Sequence, residues 1–166
     1  QVTTEITKRY DPNACWTVSS STVPVGSFLK PGGTGLLVMG NTTGRIIDRG
    51  TDPCKMGRWS YTLLKGLRED TSLLIITGYR TGNRSSPGGF KTAWAQQQAI
   101  LIKDKRSITP YEAFLIDCTE WLHAYKKENM EILFCLDANE QWGDSSGIRK
   151  FAQEFSLINI NDEMNL

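Results

Sequence analysis

Three short, uninterrupted apolar runs constrain the fold of this chain most strongly. They occupy residues 35–39, 73–76 and 132–136, and polar or turn-forming residues bound each of them. A run of four or five apolar residues is typical of a strand covered on both faces, and a membrane span would need at least about 18. The runs therefore predict strands of a buried sheet and exclude a membrane span.

Helical patterns separate and follow the later runs. Residues 91–103 are rich in Ala and Gln, and residues 146–155 place their apolar side chains on one face. The clearest helix begins at Thr109, which can act as the N-cap, with Pro110 in the first turn and Glu112 completing a capping box. Helices that alternate with strands predict an α/β sandwich with a mixed sheet.

Three further strand segments are predicted from shorter patterns. Residues 59–64 alternate in polarity and indicate a half-buried strand, and residues 45–48 are interpreted as the hairpin partner of the run at 35–39. Residues 157–160 are expected to begin another strand.

The charge of the chain is nearly balanced, with 19 Lys and Arg against 18 Asp and Glu, for a net charge of +1. This balance excludes a strongly basic nucleic-acid coat and a polyacidic tail, but not a local electropositive groove. The length of 166 residues corresponds to one domain. The chain begins at Gln1 and stops at Leu166, so we expect a domain that is incomplete at both ends. It has no secretory pattern, and we expect an intracellular protein.

The four cysteines and the single histidine limit the chemistry. No two cysteines form a CxxC pair, and His123 is the only histidine, so a zinc site built from Cys and His is not expected. We interpret the cysteines as reduced thiols and predict that Cys118 and Cys135, which lie in apolar segments, belong to the core. His123 is expected on the surface near the end of a helix, away from any catalytic site.

Polar side chains follow two of the apolar runs at the point where each strand ends. Tyr79 and Arg80 follow the first, and Asp137 and Asn139 follow the second. The carboxyl ends of strands are where α/β proteins bind ligands, and these groups would suit a phosphodiester. Residues 81–89 form a predicted basic loop, which with its flanks contains Arg80, Arg84 and Lys91. The residues alone leave another interpretation open, because Asx residues also end strands by forming turns and a basic loop is often merely solvated.

Five motifs, taken together and in this order, resemble the endonuclease/exonuclease/phosphatase superfamily, which has the DNase I-like fold. The motifs are Pro31–Thr34, Met56–Tyr61, Gly78–Arg80, Gln96–Gln98 and Asp137–Glu140. The chain is most similar to the endonuclease domains of non-LTR retrotransposon polyproteins, in which the nuclease precedes a reverse transcriptase. The resemblance extends from about residue 16 to residue 160.

The resemblance implies a four-layer α/β sandwich that hydrolyses DNA phosphodiester bonds with Mg²⁺, or with Mn²⁺ in its place. By position, Asp137 matches the aspartate that orients or deprotonates the attacking water. Asn139 and Tyr79 match residues that contact the scissile phosphate, and Arg80 and Arg84 are the substrate contacts expected from the basic loop. A reverse transcriptase domain in the same parent polypeptide, a nuclear location and no association with membranes are implied as well.

The chain departs from the family pattern in its metal ligands. The family glutamate lies in a motif resembling Glu-Thr-Asn, whereas Glu5 has neither that motif nor a preceding apolar strand, and the family motif Ser-Asp-His does not occur in this sequence. His123 is in the wrong place to substitute, and Leu136 stands where the superfamily usually has glycine. The metal ligands therefore stay unassigned, and residues 1–166 are expected to form a partial domain of weak or absent activity.

Three other functions stay open at this stage. The same fold hosts phosphatases and phosphodiesterases that act on phospholipid headgroups or inositol phosphates. A non-catalytic remnant could hold nucleic acid through Arg80, Arg84 and Lys91. The chain could also be a fragment without a present function.

Overall fold

The computed structural model describes residues 9, 11–21, 32–83, 92–143 and 145–164, and six strands and four α-helices lie within them. None of the described helices is both long enough and apolar enough to cross a membrane. The elements are β1 Cys15–Ser19, β2 Thr34–Val38, a 3₁₀ helix Gly40–Arg45, β3 Ile46–Thr51, β4 Trp59–Lys65, β5 Ser72–Tyr79, α1 Ala93–Lys103, α2 Pro110–Tyr125, β6 Met130–Asp137, α3 Gly147–Glu154 and α4 Ile160–Glu163.

The main sheet has four strands in the order β3-β4-β5-β6. The first two neighbouring pairs are antiparallel, and β5 and β6 are parallel. A parallel pair needs a long crossover connection, which here contains α1 and α2. The chain is thus a mixed α/β structure with a mixed sheet, as its alternating pattern predicts.

Two helices cover one face of the sheet and form the main core. Phe114, Cys118 and Leu122 of α2 are fully buried in one cluster with Leu74 and Ile76 of β5. The helix begins as predicted, because the Thr109 side chain accepts from the backbone N–H of Glu112 and the Glu112 carboxylate accepts from that of Thr109. The α3 helix packs on the same cluster through Ile148, Phe151 and Phe155.

A two-stranded antiparallel ribbon of β1 and β2 packs on the opposite face, against β3, β4 and β5. The contact is partly polar, and the hydroxyls of Thr34 and Ser60 lie 2.9 Å apart in it. On this face the side chains of β6 are exposed, including Leu133, at 40% exposure, and Cys135. The prediction that Cys135 belongs to the core is therefore wrong, whereas Cys118 is buried as predicted.

Two strand predictions are also wrong. Residues 46–51 do form a strand, but β3 pairs with β4 and not with β2, because the 3₁₀ helix at Gly40–Arg45 intervenes between β2 and β3. Residues 157–159 form no regular element, and Ile160–Glu163 is a short helix. The Asn159 side chain caps that helix by accepting from the backbone N–H of Asn161.

A buried charge network joins the loop before β4 to helix α2. The Arg58 guanidinium is fully buried and contacts Asp52 and Asp117, each at 2.7 Å. Arg106 contacts the second oxygen of Asp117 at 2.6 Å, so two arginines face two aspartates. Burial raises the pKa of Asp117, but hydrogen bonds and charge from Arg106 and Arg58 outweigh it and lower the pKa overall.

We predict that Arg58→Met lowers the free energy of unfolding by about 3–5 kcal/mol, because it leaves the carboxylates of Asp52 and Asp117 buried without their shared partner. Urea denaturation at neutral pH measures the change. Arg68→Met is the matched control, because Arg68 is exposed, and we expect a change within about 0.5 kcal/mol there. A loss below about 1 kcal/mol for Arg58→Met would contradict the structural role of the network.

Candidate functional site

Tyr79 and Asp137 lie opposite each other at the carboxyl ends of β5 and β6. They are the last of eight register pairs in this parallel ladder. Because side chains alternate along a strand, both project to the face opposite the α2–α3 core. Asp137 is exposed and Tyr79 is half-buried. The structure therefore brings together two of the residues that the strand-end pattern singled out.

The neighbours of Tyr79 hold it in place. Its backbone N–H donates to the carbonyl oxygen of Arg58 at 2.8 Å. Gly32 lies beside its ring with φ +73, and a Cβ at Gly32 would meet Ala93 Cβ at 2.8 Å and Tyr79 Cδ1 at 3.9 Å. Only glycine allows the chain to pass this close to Ala93 in that conformation, whereas the distance to Tyr79 is an ordinary van der Waals contact.

Asn139 lies two residues beyond Asp137 in a left-handed conformation, with φ 48. Asn tolerates this conformation better than most residues. Its Nδ2 donates to the carbonyl oxygen of Arg80 at 2.7 Å. A carbonyl oxygen can only accept, so this contact fixes which way the amide faces and leaves Oδ1 and the second N–H for another partner.

Arg80 is placed differently from Tyr79. Its side chain is only 2% exposed, and its guanidinium pairs with Glu140 at 2.6 Å and lies 3.5 Å from the ring centroid of Tyr111. In this conformation the guanidinium is therefore not presented to a ligand on the face of the sheet to which Tyr79 and Asp137 project. Its role as a phosphate contact stays a prediction that this geometry does not favour.

Glu140 is a member of the site that the sequence analysis did not assign. It accepts from the backbone N–H groups of Gly147 and Ile148 at 3.1 and 3.0 Å, at the start of α3, and from Arg80. Burial raises its pKa, but the Ile148 N–H and Arg80 outweigh this, and the pKa of Glu140 is lowered overall. The sequence signal that could have identified Glu140 is an acidic residue shortly before a helix N-cap, here Ser146.

Other residues that the sequence analysis named either lie outside the described residues or are placed on the surface or in the core. Arg84 and Lys91, from the predicted basic loop, lie outside the described residues. His123 is on the surface near the end of α2, as predicted, and contacts Glu154 of α3. Arg58 and Trp59 are fully buried and pack the core.

The described residues contain no group of three His, Cys, Asp or Glu side chains that could hold a metal ion. Mg²⁺ does not require such a cage, because it is often held by one or two carboxylates together with substrate phosphate oxygens and water. The exposed Asp137 carboxylate and the Asn139 amide oxygen are ligands of suitable chemistry. Asp137 and Asn139 therefore carry oxygen atoms of a kind that can bind Mg²⁺.

The arrangement combines two chemical functions, supplied by three residues, at one strand end. Asp137 offers a carboxylate that can accept a proton, and Tyr79 and Asn139 offer neutral hydrogen-bond donors. Neutral donors can contact an anionic oxygen, so the set suits a phosphate ester together with a water molecule.

Comparison of the chain with known protein families, with curated proteins and with solved structures finds no match.

We predict that a carboxyl NMR titration gives Glu140 a pKa below the ordinary Glu value, because it accepts several hydrogen bonds when ionised. Arg80→Met should raise this pKa by removing the charged donor, whereas Lys150→Met, in the exposed part of α3, should not. Since the folded pKa is lowered, the stabilisation by Glu140 is present above the unfolded value of about 4.3 and lost as the pH falls through the folded value. A Glu140 pKa at or above the ordinary value would contradict the contact.

Proposed function

We propose that this domain is a metal-dependent phosphodiester hydrolase of the DNase I-like type that cleaves DNA. The observation that carries the proposal is the register pairing of Tyr79 with Asp137 at the carboxyl ends of two parallel strands, with Asn139 beside them. The order of the sequence motifs supports the same assignment. Helices on one face of the mixed sheet and a strand ribbon on the other are compatible with a DNase I-like sandwich.

Each residue has a definite part in the proposed reaction. Asp137 orients the attacking water and accepts its proton, which needs an accessible carboxylate. Tyr79 donates its hydroxyl hydrogen, and Asn139 its free amide hydrogen, to the non-bridging oxygens of the phosphate. These donors stabilise the charge that grows on those oxygens as the water oxygen bonds to phosphorus and the P–O bond to the leaving group breaks. The departing oxygen takes a proton from solvent.

A bound Mg²⁺ would neutralise developing negative charge on the phosphate. Asp137, with the Asn139 oxygen, is the described group that would help to hold it. The glutamate motif and the Ser-Asp-His motif of the resembled family do not occur in this sequence. We therefore expect slow hydrolysis from these 166 residues.

A narrower form of the proposal is a retroelement endonuclease that works in the nucleus beside a reverse transcriptase of the same polypeptide. The order of the motifs is what supports this form. A nicked DNA strand offers a free end to a polymerase, so the two activities would act in sequence.

We predict Mg²⁺-dependent nicking of supercoiled plasmid by the wild-type chain when protein is in excess over DNA. Asp137→Asn should slow nicking by about 10²–10⁴-fold, because it removes the proton acceptor. Tyr79→Phe should slow it by about tenfold, the equivalent of one hydrogen bond. Glu131→Gln is the matched control, because Glu131 lies on the same face of β6, six residues earlier, and is also exposed.

Robust nicking that survives Asp137→Asn would refute the assignment of the site. If the wild type does not nick DNA but binds it in a salt-dependent manner, a non-catalytic nucleic-acid binder replaces the proposal. If it neither nicks nor binds DNA, cleavage of inositol phosphates or phospholipid headgroups in a substrate panel would identify the alternative phosphatase or phosphodiesterase. Inactivity in every arm would identify a fragment without a present function.

A further inference from the structure

Arg80 makes a hydrogen bond to three of the four residues in the segment Asp137–Glu140. Its backbone N–H donates to the carbonyl oxygen of Asp137 at 2.9 Å, and its carbonyl oxygen accepts from Asn139 Nδ2 at 2.7 Å. Its guanidinium donates to the Glu140 carboxylate at 2.6 Å. Arg80, the residue that follows β5, thus contacts most of the segment Asp137–Glu140 at the end of β6.

The Arg80 side chain is itself fixed from two helices. Nε donates to the carbonyl oxygen of Tyr111, in the first turn of α2, at 3.0 Å, and the guanidinium lies over the Tyr111 ring. Glu140 accepts from two backbone N–H groups at the start of α3. Because α2 and α3 both pack on the sheet, the Arg80 position is tied to the rigid part of the molecule.

Arginine is the only residue whose side chain can make the contacts to Tyr111 and Glu140, whereas the contacts to Asp137 and Asn139 are made by the backbone of residue 80. The planar guanidinium donates in several fixed directions and can also lie on an aromatic ring. A lysine ammonium keeps the charge but lacks the planar fork, so it cannot satisfy Tyr111 and Glu140 with the same geometry. Burial of the group makes the loss of either contact costly.

Asn139 is the part of the segment that most needs such support. It is exposed and left-handed, and the Arg80 carbonyl is what sets the direction of its amide. A small rotation of that amide would turn its free N–H away from a phosphate oxygen. Displacements of about 1 Å from the reactive geometry can slow catalysis by about 100-fold.

We infer that Arg80, with Glu140, is a positioning residue that holds Asp137 and Asn139 in the geometry for phosphodiester hydrolysis, and that it does not itself contact the phosphate. This inference rests on the proposed function for its catalytic consequence. It differs from the family-based expectation, in which Arg80 is a substrate contact. The two roles predict opposite kinetics, because a substrate contact would act mainly on KM and a positioning residue on kcat.

Arg80→Lys and Glu140→Gln test the inference against bis(p-nitrophenyl) phosphate, a small diester, with Mg²⁺ present. We expect kcat to fall by about 10–100-fold for Arg80→Lys, with KM changed by less than about twofold. The double variant Arg80→Lys/Glu140→Gln should be little worse than the Arg80 variant, because both act through one contact. Arg106→Lys is the matched control. Like Arg80, Arg106 pairs with a carboxylate, which is that of Asp117 in α2, but it lies outside the site.

A second readout does not depend on activity. In a ¹H–¹⁵N spectrum, the Asn139 side-chain amide should be protected from solvent exchange in the wild type and should shift and exchange faster in Arg80→Lys. Arg106→Lys should leave the chemical shift and the exchange rate of the Asn139 amide unchanged. If Arg80→Lys does not fold, Glu140→Gln gives the same comparison.

An unchanged Asn139 amide together with an unchanged kcat in Arg80→Lys would overturn the inference. A rise in KM alone would also overturn it and would restore Arg80 as a substrate contact. If the wild type hydrolyses no diester, the proposed function fails and with it the catalytic consequence. The amide spectrum then still decides whether Arg80 orients Asn139.

Discussion

Parallel pairing of β5 with β6 is the interaction on which the candidate site depends. Parallel strands end at the same edge of the sheet, so Tyr79 and Asp137 meet although 57 residues separate them in the sequence. The crossover that such pairing requires contains α1 and α2, and α2 covers one face of the sheet. The connection that permits the pairing therefore also buries the core, and among the described residues Asp137 stays exposed on the opposite face of the sheet.

The elements that could be predicted are those in which several local signals agree. In α2, the cap Thr109, Pro110 and Glu112 all indicate the same start, and the structure confirms it. The segments at 45–48 and 157–160 have only short apolar patterns. There, strand pairing and the Asn159 cap decided the outcome, and neither can be read from a few residues. The prediction that Cys135 is buried was wrong for a related reason, because β6 is covered on one face and not on both.

The candidate site was predictable in its residues but not in its internal contacts. Tyr79, Asp137 and Asn139 follow from the rule that polar groups end buried strands, but strand order, which makes the first two neighbours, is a property of the whole sheet. Alternation along β5 is also a sequence signal for the placement of Arg80. Because Tyr79 projects to the face opposite α2 and α3, the next side chain projects towards these helices, where Arg80 contacts Tyr111 and Glu140.

The charges of the described site residues explain why the proposed reaction would need a cation. The positive charge of Arg80 is compensated by Glu140, and the carboxylate of Asp137 remains exposed at the strand end. A phosphodiester is itself an anion, so its approach to Asp137 brings two negative charges together. Tyr79 and Asn139 supply hydrogen bonds but no net charge. A divalent cation held near Asp137 and the phosphate would offset this repulsion, and for that reason we include Mg²⁺ in the proposed hydrolysis.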